Sequence, residues 1–219
     1  MITHLLFDHD GVLVDTEQWY FEATREALAK LDVTMTFDDY KQHLVDGRSN
    51  WLSAREIGAT QADIDAARAW RDERYQYYLQ REDIDIPGVA EVLEELGQSF
   101  QMAVITTSQR SSFEIIHRER TLLDRMTFVL CREDYNLAKP HAEPYETGLR
   151  RFGIGADSAI VIEDSKRGLA AAEAAGIRTV KVHNAFVAHQ QAASDYAIQS
   201  LQELPDLLTR INQNKASSE

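Results

Sequence analysis

Residues 2 to 7, ITHLLF, form a short apolar and β-branched run that stops at Asp8 and Gly11. A run of this length, closed by turn residues, predicts a buried strand leading into a turn. From Thr16 to Leu31 the period changes, and Tyr20, Ala23, Ala27 and Leu31 recur at three- and four-residue steps. That spacing predicts a helix, with Asp15 or Thr16 as its N-cap. Residues 34 to 82 are charged and helix-prone, broken by loop signals at Asp46-Gly47 and Gly58-Ala59-Thr60, and contain no persuasive strand. Pro87-Gly88 then punctuates a return into the helical stretch VAEVLEELG.

The second half has a different texture. QMAVITTS, TFVLC, SAIVIED, RTVKV and YAIQS read as strands. Between them SFEIIHRERTLLDRM, EPYETGLRRFG and SKRGLAAAEAAG read as helices. Strands that are apolar rather than alternating, interleaved with helices, predict an α/β fold, a parallel sheet with helices on both faces. The helical block interrupts this alternation after the first strand. The expected organisation is an α/β core from residues 1–15 and 87–219, with residues 16–86 as an inserted α-helical cap domain. A chain of 219 residues suits one full domain plus a smaller insert. The polar tail NQNKASSE is expected to fray, and no internal repeat or low-complexity segment is found.

Composition narrows the partners. An apolar content of 44% is enough for a real core. A formal net charge of -13 argues against nucleic acid and anionic membranes, whose phosphates repel such a surface. A small phosphorylated substrate stays open, since positive charge can be concentrated in a pocket. The single cysteine, Cys131, precludes an intrachain disulfide, and its neighbours Phe128, Val129 and Leu130 predict a buried, inert thiol. The start ITHLLFD has no cationic region followed by a long apolar run, and no window has the roughly 18–20 apolar residues of a membrane span. The expected location is cytoplasmic, as a monomer or homodimer.

Ligands of open parallel sheets sit at the carboxyl ends of the strands. The first strand ends in Asp8 and Asp10, and the second in Thr106, Thr107 and Ser108. A later one ends in Glu163 and Asp164, and Lys139 lies in the loop LAKPHAEPY. Carboxylates, hydroxyls and an ammonium at one sheet edge suit phosphoryl transfer. Asp8 would repel an anionic phosphate unless charge is neutralised, which Mg²⁺ on oxygen ligands from Asp8, the Asp10 region and Asp164 would do. Lys139 adds positive charge, and the Thr106 hydroxyl with the following backbone N–H groups can bind the phosphoryl oxygens. Asp8 then attacks phosphorus, forming an aspartyl phosphate. Asp10 protonates the leaving oxygen and later deprotonates water.

FDHDGVLVDT, VITTS, Lys139 in AKP, and VIEDS resemble, in that order, the motifs of the haloacid dehalogenase-like hydrolase superfamily. The resemblance runs from Phe7 to about Val182. It implies a Rossmann-like core with a helical cap inserted after the first motif. It also implies Asp8 as nucleophile, Asp10 as general acid/base, and Mg²⁺ on the Asp8 side chain, the Asp10 backbone carbonyl and Asp164. His9 departs from the family pattern, whose middle residue is usually apolar. If Asp8 and Asp10 both face the pocket, strand alternation points His9 away from it, as a packed residue needing a hydrogen-bond partner.

Alternation also separates Glu163 from Asp164, so Asp164 is expected on the metal and Glu163 behind it or bridged by water. Thr107, Ser108, Arg48 and Arg110 are candidate substrate contacts. Arg48 and Trp51 lie in VDGRSNWLS of the helical block, where Trp51 reads equally well as core. Ser165 reads as a helix cap and Gly168 as a close-packing position. The other histidines (His4, His43, His117, His141, His183 and His189) share no zinc-type spacing and read as structural or surface residues.

The expected function is a Mg²⁺-dependent phosphatase of a small phosphorylated metabolite, such as a sugar phosphate or a phosphoglycolate-like ester. The alternative is a phosphomutase resembling β-phosphoglucomutase, whose early cap histidine is replaced here by Tyr20. A non-catalytic binding protein on the same fold is a further alternative. Asp10 counts against dehalogenation, whose halide leaves unprotonated. Lys30 and Lys41, the only candidates for a phosphonatase lysine, lie in no recognisable context.

Overall fold

The computed structural model describes residues 1–187 and 192–216. The chain divides into two compact units, Met1–Asp15 with Asp85–Glu219, and Thr16–Ile84. The first unit holds a six-stranded sheet of β1 (His4–Phe7), β2 (Gln101–Ile105), β3 (Met126–Leu130), β4 (Ala159–Glu163), β5 (Arg178–Val182) and β6 (Tyr196–Ile198). The strand order is β3-β2-β1-β4-β5-β6 and every pairing is parallel. This is the order of a Rossmann-like α/β sheet, with β1 at the crevice where the winding reverses.

The unit Thr16–Ile84 is helical, with α1 (Glu17–Ala29), α2 (Phe37–Asp46), α3 (Leu52–Glu56) and α4 (Gln61–Leu79). Thr16 takes the N-cap position of α1, though without a side-chain cap bond. Thr36 and Thr60 close full capping boxes with Asp39 and Asp63, which explains why such charged sequence starts helices cleanly. Phe21, Leu28, Tyr40, Trp51 and Ile64 form this unit's own core. The return to the sheet unit falls between Ile84 and Asp85, ahead of Pro87-Gly88, because Asp85 forms an isolated bridge with Val14.

Among the described residues, the sheet unit also holds α5 (Val89–Leu96), α6 (Arg110–His117), α7 (Glu143–Phe152), α8 (Lys166–Ala174) and α9 (Leu204–Ala216). Alternation along the strands assigns the two faces. Leu5, Phe7, Val104 and Ile162 pack with residues of α5, α6 and α9, such as Val92, Phe113 and Leu208. Leu6, Ala103, Ile105 and Val161 pack with Tyr145 of α7 and Ala171 of α8. No helix among the described residues is long and apolar enough to cross a membrane.

Two elements differ from expectation. The helix expected over residues 112–126 ends at His117. Arg120 donates to the terminal carbonyl of Ile116 at 2.6 Å and to Asp85 at 2.7 Å, satisfying the helix end as the apolar stripe runs out. The tail expected to fray is helical to Ala216, because Asn212 is tied to the first strand's approach. Its Oδ1 accepts from the Ile2 N–H at 2.7 Å and its Nδ2 donates to the Ile2 carbonyl at 3.1 Å. Residues 217–219 of that tail and His189 lie outside the described residues.

Candidate active site

β1 stops at Phe7, and the Asp8 N–H extends its ladder to the Ile162 carbonyl at 2.9 Å. The chain then turns, the His9 carbonyl accepting from the N–H groups of Val12, Leu13 and Val14. Gly11 has φ +82°, and a Cβ there would stand 2.1 Å from Asp164 Oδ2 and 2.3 Å from Asn184 Nδ2. Both the left-handed backbone and the close approach therefore demand glycine.

The centre of the site is a buried charge cluster. Lys139 Nζ donates to Asp8 Oδ1 at 2.7 Å and to Glu163 Oε1 at 2.9 Å. Glu163 is fully buried; its Oε1 also accepts from the Tyr145 hydroxyl at 3.3 Å, and its Oε2 from the Ser165 N–H and hydroxyl at 2.9 and 3.0 Å. Ser165 Oγ in turn accepts from the Gly168 N–H at 3.1 Å, capping α8. Asp164 Oδ2 accepts from Asn184 Nδ2 at 2.7 Å.

Gly168 makes room for Glu163, since a Cβ on it would lie 1.4 Å from Glu163 Oε1. Alanine is the better helix former by about 1 kcal/mol, which would favour Gly168→Ala on an open helix. Here the overpacking is expected to reverse the sign and destabilise the protein by about 1–3 kcal/mol. Urea unfolding checks this, and a stabilised variant would contradict it.

Strand alternation does not bear on how Glu163 and Asp164 share the site. β4 ends at Glu163, so Asp164 lies beyond the regular pleat. Oxygens of Asp8, Glu163 and Asp164 all come within 4.8 Å of one another. Burial first, then the Glu163 charge, push the Asp8 carboxyl up to about 7 against the pull of Lys139. Burial alone would pull Lys139 down, but Asp8 and Glu163 outweigh it and hold the ammonium well above the usual lysine range. Three carboxylates facing one ammonium leave negative charge uncompensated. With oxygen donors alone in the cluster, the set fits a hard divalent cation.

A second group surrounds Asp10. Its Oδ2 accepts from the Ser108 hydroxyl at 2.6 Å and the Thr106 hydroxyl at 3.4 Å, and lies 3.3 Å from His9 Nδ1. The Ser108 N–H donates to Thr106 Oγ1 at 3.0 Å, and the Tyr135 hydroxyl fixes the Thr106 carbonyl at 2.7 Å. Thr107 is exposed. His9 is fully buried, packed against Phe113 at 4.7 Å, with Nε2 2.8 Å from His117 Nε2. Burial first, then His9 and Arg120, push His117 down to about 3, so its ring is neutral.

The remaining candidates are engaged elsewhere. Arg110 pairs with Asp134, while its backbone N–H donates to the Glu133 carboxylate. Arg48 is exposed and pairs with Asp46 at 3.3 Å within the helical unit. Trp51 belongs to that unit's core. Cys131 is a free, buried thiol whose pKa burial pushes up to about 11. Asn184 and Tyr145 were not among the candidates. Asn184 follows β5 in VHNAF, a polar residue just past a strand end, and that position was its only signal.

The sequence matches the haloacid dehalogenase-like hydrolase family over residues 5–182. It is 28% identical to Protein CbbY of Cereibacter sphaeroides, over 94% of this chain and 96% of that protein. It is 30% identical to a phosphorylated carbohydrates phosphatase of Thermotoga maritima, over 80% of this chain and 82% of that one. The fold is similar to the crystal structure of a CbbY variant from Rhodobacter sphaeroides in complex with xylulose-(1,5)-bisphosphate. That similarity has a TM-score of 0.79 at 25% identity and covers 93% of this chain and 96% of the other. With the sheet order, the acidic cluster at the end of β1 and a family match across most of the sequence, the chain belongs to the haloacid dehalogenase-like hydrolases, enzymes whose curated examples similar to it include phosphoric monoester hydrolases.

Proposed function

We propose that this enzyme is a Mg²⁺-dependent phosphatase that hydrolyses a small phosphorylated metabolite through an aspartyl phosphate on Asp8. The observation that carries the reading is the position of Asp8 Oδ1, held 2.7 Å from Lys139 Nζ beside Glu163 and Asp164 at the end of β1. Asp8 is oriented as nucleophile by that bond, and attack on phosphorus splits one hard displacement into two easier ones. Lys139 stays cationic and offsets charge on the phosphoryl oxygens. Asp10, held by Ser108 and Thr106, gives a proton to the leaving oxygen and takes one from the water that cleaves the acyl phosphate. Asp8, the Asp10 carbonyl and Asp164 would hold Mg²⁺, with Glu163 and Asn184 fixing the cluster around them. When bound, the ion offsets the charge between carboxylate and phosphate.

The Thr16–Ile84 unit acts in this reading as a cap that supplies specificity, with Arg48 a candidate for a remote anionic or hydroxylated part of the substrate. The similar proteins named for phosphorylated carbohydrates and for a complex with xylulose-(1,5)-bisphosphate support a sugar phosphate as a candidate, beside a phosphoglycolate-like ester. Phosphate release from an aryl phosphate should require Mg²⁺ and fall by about 100-fold or more in EDTA, as expected when the ion neutralises the reacting charges. Release that survives chelation would overturn the assignment. A panel of sugar phosphates and phosphoglycolate, assayed in the same way, identifies the substrate class.

A further inference from the structure

The mechanism leaves one buried polar pair unused. His9 and His117 meet through Nε2 at 2.8 Å, while His9 Nδ1 lies 3.3 Å from Asp10 Oδ2. His117 Nδ1 is buried and has no hydrogen-bond partner among the described residues. At the contact between the rings one nitrogen must carry a proton and the other must not, because two N–H groups or two lone pairs would repel. The shared proton can sit on either side of the contact, giving two arrangements.

In one, His9 donates from Nε2. His117 must then carry its proton on Nδ1, a buried N–H with nothing to receive it. The bare His9 Nδ1 would also face the Asp10 carboxylate, lone pair against lone pair. In the other, His117 donates from Nε2 and His9 carries its proton on Nδ1, aimed at Asp10 Oδ2. Only an acceptor, His117 Nδ1, is then left over. Orphaned buried donors are rarer than under-used acceptors, so the second arrangement wins at both ends of the chain.

We infer that His117 and His9 form a polarised hydrogen-bond chain that aims an N–H at Asp10 and fixes its carboxylate for proton transfer. His9 is a positioning residue, and His117 sets its tautomer. His9, Ser108 and Thr106 converge on Asp10 Oδ2, which fixes that oxygen from three sides. The catalytic part of this inference rests on the phosphatase reading, in which Asp10 moves the proton. The direction of the chain does not.

Two measurements on the full-length protein test it. In an imidazole ¹H–¹⁵N correlation spectrum without substrate, His9 should appear as the Nδ1–H tautomer and His117 as Nε2–H, and the reverse pair overturns the inference. In Mg²⁺-supported aryl phosphate hydrolysis, His9→Leu should lower kcat by about 10–100-fold, as removal of a group that orients a catalytic residue does, with KM changed by less than about twofold. His9→Asn, whose amide can place an N–H near the position of Nδ1, should recover most of that kcat. His117→Phe, a second variant remote from Asp10, should leave His9 with mixed tautomers and an intermediate kcat. If His9→Asn is as slow as His9→Leu, the residue is merely packed and the inference fails. A wild-type protein that releases no phosphate sinks the phosphatase reading instead, and the spectrum still decides the chain's direction.

Discussion

Asp8→Asn is expected to lower kcat for phosphate release by about 10⁴-fold or more, the scale on which loss of a covalent nucleophile is felt. The variant isolates the chemistry. Asparagine keeps an oxygen that can accept from Lys139 in place of the present 2.7 Å bond, so the cluster keeps its shape while losing the attacking carboxylate. The same change alters the pH dependence of stability in metal-free protein. The Asp8 carboxyl lies at about 7 in the fold against 3.8 as an unperturbed group, so the folded state holds its proton more tightly than the unfolded chain. Wild-type stability should therefore fall as pH rises through that window, and Asp8→Asn should lack this portion of the slope. Wild-type enzyme, acid-quenched during turnover and then digested, should carry one phosphoryl group on the Asp8 peptide. Phosphate release undiminished in the variant would place the nucleophile elsewhere.

How far these residues could be read from sequence follows from how local their signals are. The central strands β1, β2 and β4 are almost wholly buried, so they announce themselves as apolar runs, and Asp8, Asp10, Thr106 and Asp164 stand just past their ends. Lys139 lies 131 residues from Asp8 and was legible only because LAKPHAEPY carries a recognisable motif. Asn184 has no such context, and Tyr145 looks like any helical aromatic. The His9–His117 contact spans 108 residues and depends on where α6 turns its last side chain, which no local pattern encodes. The end of α6 and the helical run to Ala216 are hidden for the same reason. In each, one side chain reaches a residue distant in sequence, Arg120 the Asp85 carboxylate and Asn212 the Ile2 backbone. Alternation cannot separate Glu163 from Asp164, because β4 ends at Glu163, one residue short of the strand that SAIVIED suggests.

Lys139→Met should be the most damaging change to the fold among these residues. Lys139 is 4% exposed and is bonded to Asp8 and to the fully buried Glu163. Removing one partner of a buried ion pair costs about 3–5 kcal/mol, since the remaining charge is stranded in a medium that solvates it poorly. Methionine matches the lysine stem in bulk, so the loss reports charge rather than a cavity. The pH dependence separates the two. In the wild type, Lys139 is held well above 10.5, so its contribution is complete below that value and is lost only as pH rises through the folded pKa. In the variant, Asp8 loses its cation and moves above its present value of about 7. Protonated, it needs no counter-charge; ionised, it does. The deficit should accordingly be small near pH 4 and grow as pH rises through 7 and beyond. Urea unfolding with EDTA at about pH 5 and about pH 8 reads this directly, and equal deficits at both would mean that packing, not charge, dominates. Adding Glu163→Gln should restore part of the loss, and Mg²⁺ should narrow the gap at the higher pH by supplying the missing positive charge. Phosphate release should still fall by about 10²–10³-fold with the ion present, because a cation shared by the carboxylates does not replace the ammonium fixed against the attacking oxygen.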